Sequence, residues 1–366
     1  MTPMRTPEGN PIPPREALYG RRIKTEIETF ARNPALTELF ALFDYKPRGE
    51  IKRNLTVGQG LAEKLAFAQS GWQWDANGKE RADAEKIQLT PEQEAAIMGT
   101  PGKKGLAERL GMTKATEAKN AKSDALIVLG GGGVHPFWRT AHGKEHGGDV
   151  KQVFLLGSKK SFRKQAIIDA QEKDRAAGKP IDPRRAAYDG IALSESAQTE
   201  FDLQVAAAET NYGTLQKDGT YSMSDYEISE IGTNGDRIRH YKYKNQAKSK
   251  DHPDLFVISA YNREDPANPR VRSSDQFAVV KGLLLPRAQR VIPVTSMNFR
   301  NFQHFDARRI LTDQFGLDVD TIGFDPSKPP LSPDSPTIYH DAARYLNEVY
   351  STLKGAVALH KTHYSS

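Results

Sequence analysis

Short runs of apolar residues alternate with stretches of helical periodicity along the second two-thirds of the chain. The runs are too short for helices and rich in Val, Ile and Leu, which is typical of strands buried on both faces of a sheet. The predicted strands are Ala125–Leu129, Val153–Leu156, Leu255–Ser259, Arg290–Thr295 and Val319–Gly323. The predicted helices of this part of the chain are Ser194–Glu209, Asp275–Leu285, Phe299–Phe315 and Ile338–His360. This alternation predicts an α/β fold with a Rossmann-like, mostly parallel sheet flanked by helices.

Three further patterns give the predicted domain organisation. Residues 1–14 contain five prolines and are expected to form a disordered lead-in. Apolar residues at three-to-four spacing, with a capped helix start at Thr90–Gln93, predict a helical N-terminal region over residues 15–118. The Rossmann-like domain then covers residues 119–366. Within it, short aromatic strands joined by Asp-Gly and Asn-Gly turns predict an inserted antiparallel β-meander over residues 212–244.

Composition excludes several kinds of chemistry. The chain of 366 residues has no cysteine, which excludes disulfides, thiolate catalysis and cysteine-held metal clusters. Its formal net charge of +6 and mean hydropathy of −0.63 indicate a polar surface with a weak attraction for anions. No segment resembles a signal peptide or is long enough to span a bilayer. We therefore expect a cytoplasmic protein with no membrane partner.

Four consecutive glycines, Gly130, Gly131, Gly132 and Gly133, follow the first predicted strand of the sheet. Glycine lets the backbone turn sharply and lets another group approach closely. The stretch lacks the spacing of the dinucleotide fingerprint, and no Lys-Ser/Thr follows as in a P-loop. We interpret it as a cradle of main-chain amides for a phosphate or similar group. The alternative is a tight strand-to-helix turn without a ligand.

Small polar residues also occur where other strands end or helices begin. Such residues suit the rim of a pocket at the carboxyl edge of a parallel sheet, although hydroxyl residues also cap helices. The predicted ligand-binding residues, besides the glycines, are Ser158, Ser274, Asp275, Thr295 and Ser296.

Two residues are candidates for acid–base catalysis. His304 shares one helix face with Arg300 and Arg308, and histidine titrates nearest neutrality. The alternative for this face is a solvated basic stripe. Glu200 opens an acidic helix after the second strand, and it lies on a different face from Asp202, so the two carboxylates cannot act as a hydrolytic dyad.

A metal site and a nucleic-acid site are both less favoured. His142 and His146 have a His-x-x-x-His spacing, but they lie in a glycine-rich stretch that we expect to be exposed, so no metal is predicted. The ribbon Arg237–Lys244 alternates basic with apolar or aromatic residues and could contact a nucleic-acid backbone. Such ribbons are more often hairpins with one solvated face.

The order of these motifs resembles the YdcF/SanA/ElyC-like family of bacterial α/β proteins, most of them of unknown function. The resemblance covers roughly residues 105–360, and it is closest to a soluble, divergent actinobacterial-type branch. The segments that carry it are Asp124–Gly133, Val153–Ser158, the helix with Glu195 and Glu200, Arg272–Phe277, Val294–Ser296, Phe302–Ala307 and Val319–Asp325.

The resemblance implies a Rossmann-like sheet with a pocket at these loops. Some family members have been proposed to bind S-adenosylmethionine, which makes that molecule a candidate ligand. We expect this chain to depart from the membrane-anchored members in lacking an anchor, and it departs from the family spacing because His304 follows Thr295-Ser296 at a longer interval. The segment 212–244 is not part of the family pattern.

Together, these observations predict a protein that binds a nucleotide-like or otherwise anionic small molecule at a glycine-rich strand end, with transferase or hydrolase activity as a further hypothesis. Two alternatives stay open: a nucleic-acid-associated protein that uses the ribbon 237–244, and a non-catalytic regulatory protein.

Overall fold

The computed structural model describes residues 15–45, 56–71, 87–119, 122–131, 135–160, 176, 178, 199–217, 221–232, 235–245, 252–264, 271–328, 330 and 340–364. The predicted lead-in, residues 1–14, lies outside these ranges. The chain divides into two compact units. Unit 1 comprises Met1–Met112, Asn301–Asp318 and Asp341–Ser366, and unit 2 comprises Thr113–Arg300 and Val319–His340.

The bounds of the elements are as follows. The helices are α1 (Arg15–Ala31), α2 (Pro34–Ala41), α3 (Val57–Gly71), α4 (Pro91–Met98), α5 (Leu106–Arg109), α6 (His135–His146), α7 (Glu200–Tyr212), α8 (Ser273–Leu283), α9 (Met297–Ala307, continued by a π-helical turn, Arg308–Thr312) and α10 (Ala342–Tyr364). The strands are β1 (Gly99–Thr100), β2 (Lys103–Lys104), β3 (Ala125–Val128), β4 (Gln152–Gly157), β5 (Thr214–Leu215), β6 (Tyr221–Ser222), β7 (Tyr226–Ile231), β8 (Arg237–Tyr243), β9 (Asp254–Ser259), β10 (Arg290–Ser296), β11 (Asp318–Val319) and β12 (Ile322–Phe324).

Unit 1 is a helical unit whose core includes the apolar face of the last helix. Ile23 and Ile27 of α1 are buried in the same cluster as Leu353 and Ala356 of α10. The predicted capping box of α4 is confirmed: Gln93 N donates to Thr90 Oγ1, and Thr90 N donates to Gln93 Oε1 at 3.0 Å. The predicted helical region ended at residue 118, whereas unit 1 also takes in segments from near the end of the chain because α10 completes its core.

Unit 2 is built on a mostly parallel sheet, which confirms the predicted fold class. Within the described residues the strand order is β11-β10-β3-β4-β9-β8-β7, with β12 also beside β10. Strands β12, β10, β3, β4 and β9 pair with one another in parallel, with Val128 opposite both Val294 and Leu155. Strands β3 and β4 are buried along their whole length, which explains their uninterrupted apolar sequences.

Pro293 predicts that its strand lies near an edge or a bulge of the sheet. Strand β10 is next to the edge, between β3 and the two short strands β11 and β12. Leu129 N donates to Val294 O, whereas Asp320 N donates to Val291 O, so alternate residues of β10 face opposite neighbours. Pro293 therefore faces the gap between β11 and β12. Its missing backbone N–H removes no hydrogen bond between paired strands at that point.

The segment predicted as an inserted meander forms two separate hairpins. Strands β5 and β6 pair with each other alone, and β7 and β8 extend the main sheet antiparallel to β9. Helix α7 continues through Tyr212, and β6 and β7 are separated by a turn in which Tyr226 N donates to Met223 O.

Candidate functional site at the carboxyl edge of the parallel strands

Four helices of unit 2 begin at the carboxyl edge of its parallel strands. Helix α9 starts directly after β10. Phe201 N of α7 donates to Ser158 O after β4, and Gln276 Nε2 of α8 donates to Gly157 O at 2.7 Å. A Cβ atom on Gly131 would lie 3.4 Å from His135 Cβ at the start of α6. Helix N-termini present unpaired amides, so this edge favours anionic or polar groups.

The glycine turn after β3 is a place of close backbone approach. A Cβ atom on Gly130 would lie 2.6 Å from the carbonyl oxygen of Leu156, so a side chain there would collide with β4. A Cβ atom on Gly131 would lie 3.0 Å from Arg139 Nη1. Gly132 and Gly133 lie outside the described residues. Close packing explains why glycine is required at residues 130 and 131. The predicted cradle of main-chain amides for an anion stays a prediction.

Arg139 brings a buried positive charge to this turn. Its side chain is 3% exposed, and Nη1 donates to Leu129 O at 2.8 Å and to Gly130 O. The guanidinium also lies 5.8 Å from the centre of the Phe299 ring. Sequence reasoning did not single out Arg139. The feature that could have indicated it is a basic residue one helical turn after His135, in the helix that follows the glycines.

The structure brings Ser158 and Glu200 together. Ser158 Oγ donates to Glu200 Oε2 at 2.5 Å and accepts from Lys160 N at 3.2 Å. Helix α7 begins with a capping box between Thr199 and Asp202, and the predicted start of this helix, Ser194, lies outside the described residues. Glu200 therefore stands at the end of β4 with its carboxylate bound to a hydroxyl.

Asp275 lies in the first turn of α8, and its two carboxylate oxygens differ in their contacts. Oδ1 lies 3.3 Å from Arg263 Nη1, whereas Oδ2 is buried without a partner among the described residues. The N-cap of α8 is Arg272, so Ser274, which is half-buried, is not the cap of this helix.

The junction of β10 and α9 carries the largest group of unsatisfied polar atoms at this edge. Thr295, Ser296 and Asn298 are at most 1% exposed. In the described part of the chain, no partner is found for Thr295 Oγ1, Ser296 Oγ, Asn298 Nδ2 or Asn298 Oδ1. Most buried polar atoms in folded proteins have a hydrogen bond, so four such atoms within four residues are exceptional. Asn298 was not predicted, since nothing in the sequence distinguishes it from a solvated helix residue.

The sheet register relates this junction to the other strand ends. Gly157 is opposite Ser259, and extending the pairs Val128–Val294 and Val128–Leu155 by two residues aligns Ser296, Gly130 and Gly157. Ser259 Oγ is also buried and lacks a partner within the described ranges. Two glycines flanked by two serines thus form one row across four strands, about 14 Å long at the usual strand spacing.

His304 belongs to unit 1, where it lies in a network of charges. Its Nε2 is 3.1 Å from Glu26 Oε2, and Glu26 also binds Arg308. Burial alone would raise the pKa of Glu26, but the hydrogen bond from His304 and the charges of His304 and Arg308 hold that pKa well below its usual value. Arg300, on the same predicted face, instead donates to Thr321 O in unit 2.

Three basic residues of the ribbon Arg237–Lys244 have acidic or carbonyl partners. Arg239 Nε lies 2.6 Å from Glu230 Oε1, and Lys244 Nζ lies 2.6 Å from Ser224 O. Arg237 stacks on Phe201, with 4.1 Å from its guanidinium to the ring centre, and lies 3.7 Å from Asp202. These carboxylates offset the positive charge that phosphate binding would require.

The His142 stretch, expected to be exposed, belongs to helix α6, most of which is buried, including His142 itself. His142 Nε2 lies 2.9 Å from Thr116 O, and burial lowers the pKa of His142 to about 4. A Cβ atom on Gly143 would lie 3.1 Å from Val294, so the glycine lets α6 pack closely on the sheet. Within the described residues, no group of three metal-binding side chains is found.

Comparison with known proteins identifies relatives without a described activity. No protein-family model and no solved structure matches the chain. It is similar to the uncharacterized proteins Rv3785 of Mycobacterium tuberculosis and Mb3814 of Mycobacterium bovis, with 23% identity over 352 residues, which is 93% of this chain and 84% of each relative. Among the helices described, none has the length and apolar character needed to cross a membrane.

Proposed function

We propose that the chain binds a nucleotide-like or otherwise anionic small molecule at the carboxyl edge of the parallel strands of unit 2. The observation that carries this proposal is the group of buried polar atoms at Thr295, Ser296 and Asn298 that find no partner in the described chain. Leaving such atoms unsatisfied costs free energy, so a natural sequence keeps them where they serve a ligand.

The charges around this edge support a ligand with an anionic part. Arg139 provides a buried guanidinium at the glycine turn, and four helices direct their N-termini to the same edge. The two carboxylates nearby are already engaged, Glu200 with Ser158 and Asp275 with Arg263. We retain S-adenosylmethionine as one candidate ligand and the YdcF-like family as the proposed relationship, on the motif order alone.

Thermal shift and titration calorimetry with inorganic phosphate, AMP, ATP and S-adenosylmethionine test the proposal. We expect at least one of them to stabilise the protein and Thr295→Val to weaken that binding. The matched control is Thr312→Val, since Thr312 is an equally buried, unpartnered threonine of unit 1. The proposal fails if none of the four compounds binds, or if both variants lose binding alike.

A further inference from the structure

We propose that the chain forms a dimer in which strand β7 pairs with β7 of a second copy, so that the two main sheets become one. This inference goes beyond the proposed function and does not depend on it, because β7 lies at the far end of the sheet from β10. A two-fold axis would relate the two strands, which makes them antiparallel and closes the assembly at two copies.

Strand β7 is a sheet edge whose outer main-chain groups point away from the sheet. It pairs with β8 on one side, and in the described part of the chain no strand pairs with its other side. Lys244 N donates to Asp225 O, whereas Tyr243 N points the other way, towards β9. Residues alternate in an antiparallel ladder, so the N–H and C=O groups of Ile228 and Glu230 point away from β8. These groups can pair with another strand.

The length and exposure of β7 also favour association. Every residue from Glu227 to Ile231 is exposed, and the apolar side chains of Ile228 and Ile231 are 54% and 38% exposed. The strand has six residues, whereas β11, at the other end of the strand order, has two. Short edge strands hinder association, while a longer exposed edge with apolar side chains favours it.

The side chains of β7 fit a second copy when the two-fold axis passes through Ile228. Opposite residues of an antiparallel ladder share one face, so the axis must pass through a residue. With Ile228 opposite its own copy, Glu227 lies opposite Ser229 and Glu230 opposite Tyr226, so that no carboxylate faces another. An axis through either glutamate would oppose two like charges, and one through Ser229 would place Ile228 against Glu230.

The charges of the ribbon favour a second copy over a basic peptide as the partner. Glu230 Oε1 lies 2.6 Å from Arg239 Nε, and Glu227 is opposite Lys242 in the register of β7 and β8. Cations on the neighbouring strand therefore offset both carboxylates of the edge. A basic peptide would be repelled by these cations, whereas a copy of β7 carries no basic residue.

The pairing is short, so the dimer should be weak. Ile228 and its copy would exchange two hydrogen bonds, and Glu230 N would donate to Tyr226 O on each side. Tyr226 N does not contribute, because it already donates to Met223 O. The contact covers about 17 Å of strand, and small contacts are typical of transient association.

The first test is sedimentation equilibrium of the unmodified chain over a wide range of concentration. We expect the weight-average mass to rise from 40.6 kDa towards twice that value. A mass that stays at 40.6 kDa up to about 1 mM, the weak end of measurable association, overturns the proposal. A mass that rises beyond twice the value overturns it as well, because a two-fold pairing is closed.

The second test removes an outer N–H group. Ile228→Pro leaves the ladder with β8 intact, since Ile228 N points away from β8, and it should weaken dimerisation at least about tenfold. Leu285→Thr is the matched control. Leu285 is also an exposed apolar residue, but its N donates to Gln152 Oε1 at β4, three strands from β7. An unaffected Ile228→Pro, or an equal loss in Leu285→Thr, overturns the proposal.

The third test uses the fact that residue 228 faces its own copy only in the proposed register. Ile228→Lys and Ile228→Glu each oppose two like charges and should stay monomeric alone, whereas an equimolar mixture should dimerise. Both variants keep the N–H group at an exposed position, so they decide the question even if Ile228→Pro does not fold. A mixture that stays monomeric while the unmodified protein dimerises overturns the proposed pairing.

Discussion

Glu26 holds the buried guanidinium of Arg308 at two points: Arg308 Nη2 donates to Glu26 Oε1 at 2.9 Å, and Arg308 Nε donates to Glu26 Oε2 at 3.1 Å. Arg308 is fully buried, and its Nη1 lies 3.2 Å from Asp318 Oδ1. This arrangement makes the charge network of unit 1, which includes His304, a structural element in its own right.

Removing the charge of Glu26 should therefore be costly. We expect Glu26→Gln to lower the free energy of unfolding by about 3 kcal/mol, because it leaves the Arg308 charge buried with less compensation. The control is Glu38→Gln, which breaks a solvent-exposed pair with Arg109 of the same unit. Urea unfolding at pH 7 measures both, and equal midpoints for the two variants would contradict the prediction.

His142 should make the stability of unit 2 depend on pH. Its pKa of about 4 in the folded protein is below the ordinary value of 6.5 in the unfolded chain. The unfolded state therefore binds more protons between these values, so stability is complete above pH 6.5 and falls as the pH decreases towards 4.

His142 should contribute about 2 kcal/mol to the loss of stability between pH 7 and pH 5, and this contribution should be absent in His142→Gln, which keeps a neutral donor for Thr116 O. Urea midpoints of the two proteins at both pH values provide the measurement. Glu26 adds little to the difference between the two proteins, since both contain it and its carboxyl group stays mostly ionised in both states down to about pH 5. Parallel pH profiles for the two proteins would show that His142 is not the cause.

Thr295→Val should stabilise the protein in the absence of any ligand. The substitution keeps the shape of the side chain and removes a buried hydroxyl that has no partner in the described chain. Its removal should raise the free energy of unfolding by about 1 kcal/mol. Thr140→Val is the contrasting variant, because Thr140 is equally buried but donates to Pro136 O at 2.7 Å. Differential scanning calorimetry should show opposite shifts, and a lower Tm for Thr295→Val would refute the prediction.

A side chain at Gly157 should disturb the contact between β4 and α7. An added Cβ atom would lie 2.8 Å from Phe201 Cα and 2.9 Å from Phe201 N, so Gly157→Ala should cost about 1–3 kcal/mol. In Gly20→Ala the new methyl group meets nothing within 4 Å, and helix propensity should add up to about 1 kcal/mol of stability. Chemical unfolding compares the two, and a neutral Gly157→Ala would mean that α7 can move away at little cost.

The strands of the parallel sheet could be predicted because burial on both faces requires an uninterrupted run of apolar residues, which is visible in the sequence. Strands β3, β4 and β9 lie within one or two residues of the predicted bounds. Helix α10 was also predicted, but periodicity shows only that one face is buried and not which residues cover it. For that reason its place in the core of unit 1 could not be inferred.

The polar residues of the candidate site were predicted only in part. Ser158, Thr295 and Ser296 lie at strand ends, which a sequence reveals, whereas Arg139 and Asn298 lie inside helices, where a buried polar residue has the same pattern as a solvated one. The spacing of Arg300 and Arg308 correctly places them on one helix. Their partners, Thr321 O and Glu26, belong to different units because the chain passes from unit 2 to unit 1 within α9.

The core of unit 1 has a consequence for the order in which the protein folds during its synthesis. The cluster that contains Ile23 and Ile27 is completed by Leu353 and Ala356. Every strand of the main sheet is synthesised before α10, so the middle of the chain can fold while the core of unit 1 still lacks its last helix. The first helices to be made can therefore complete their core only after the last helix has been synthesised.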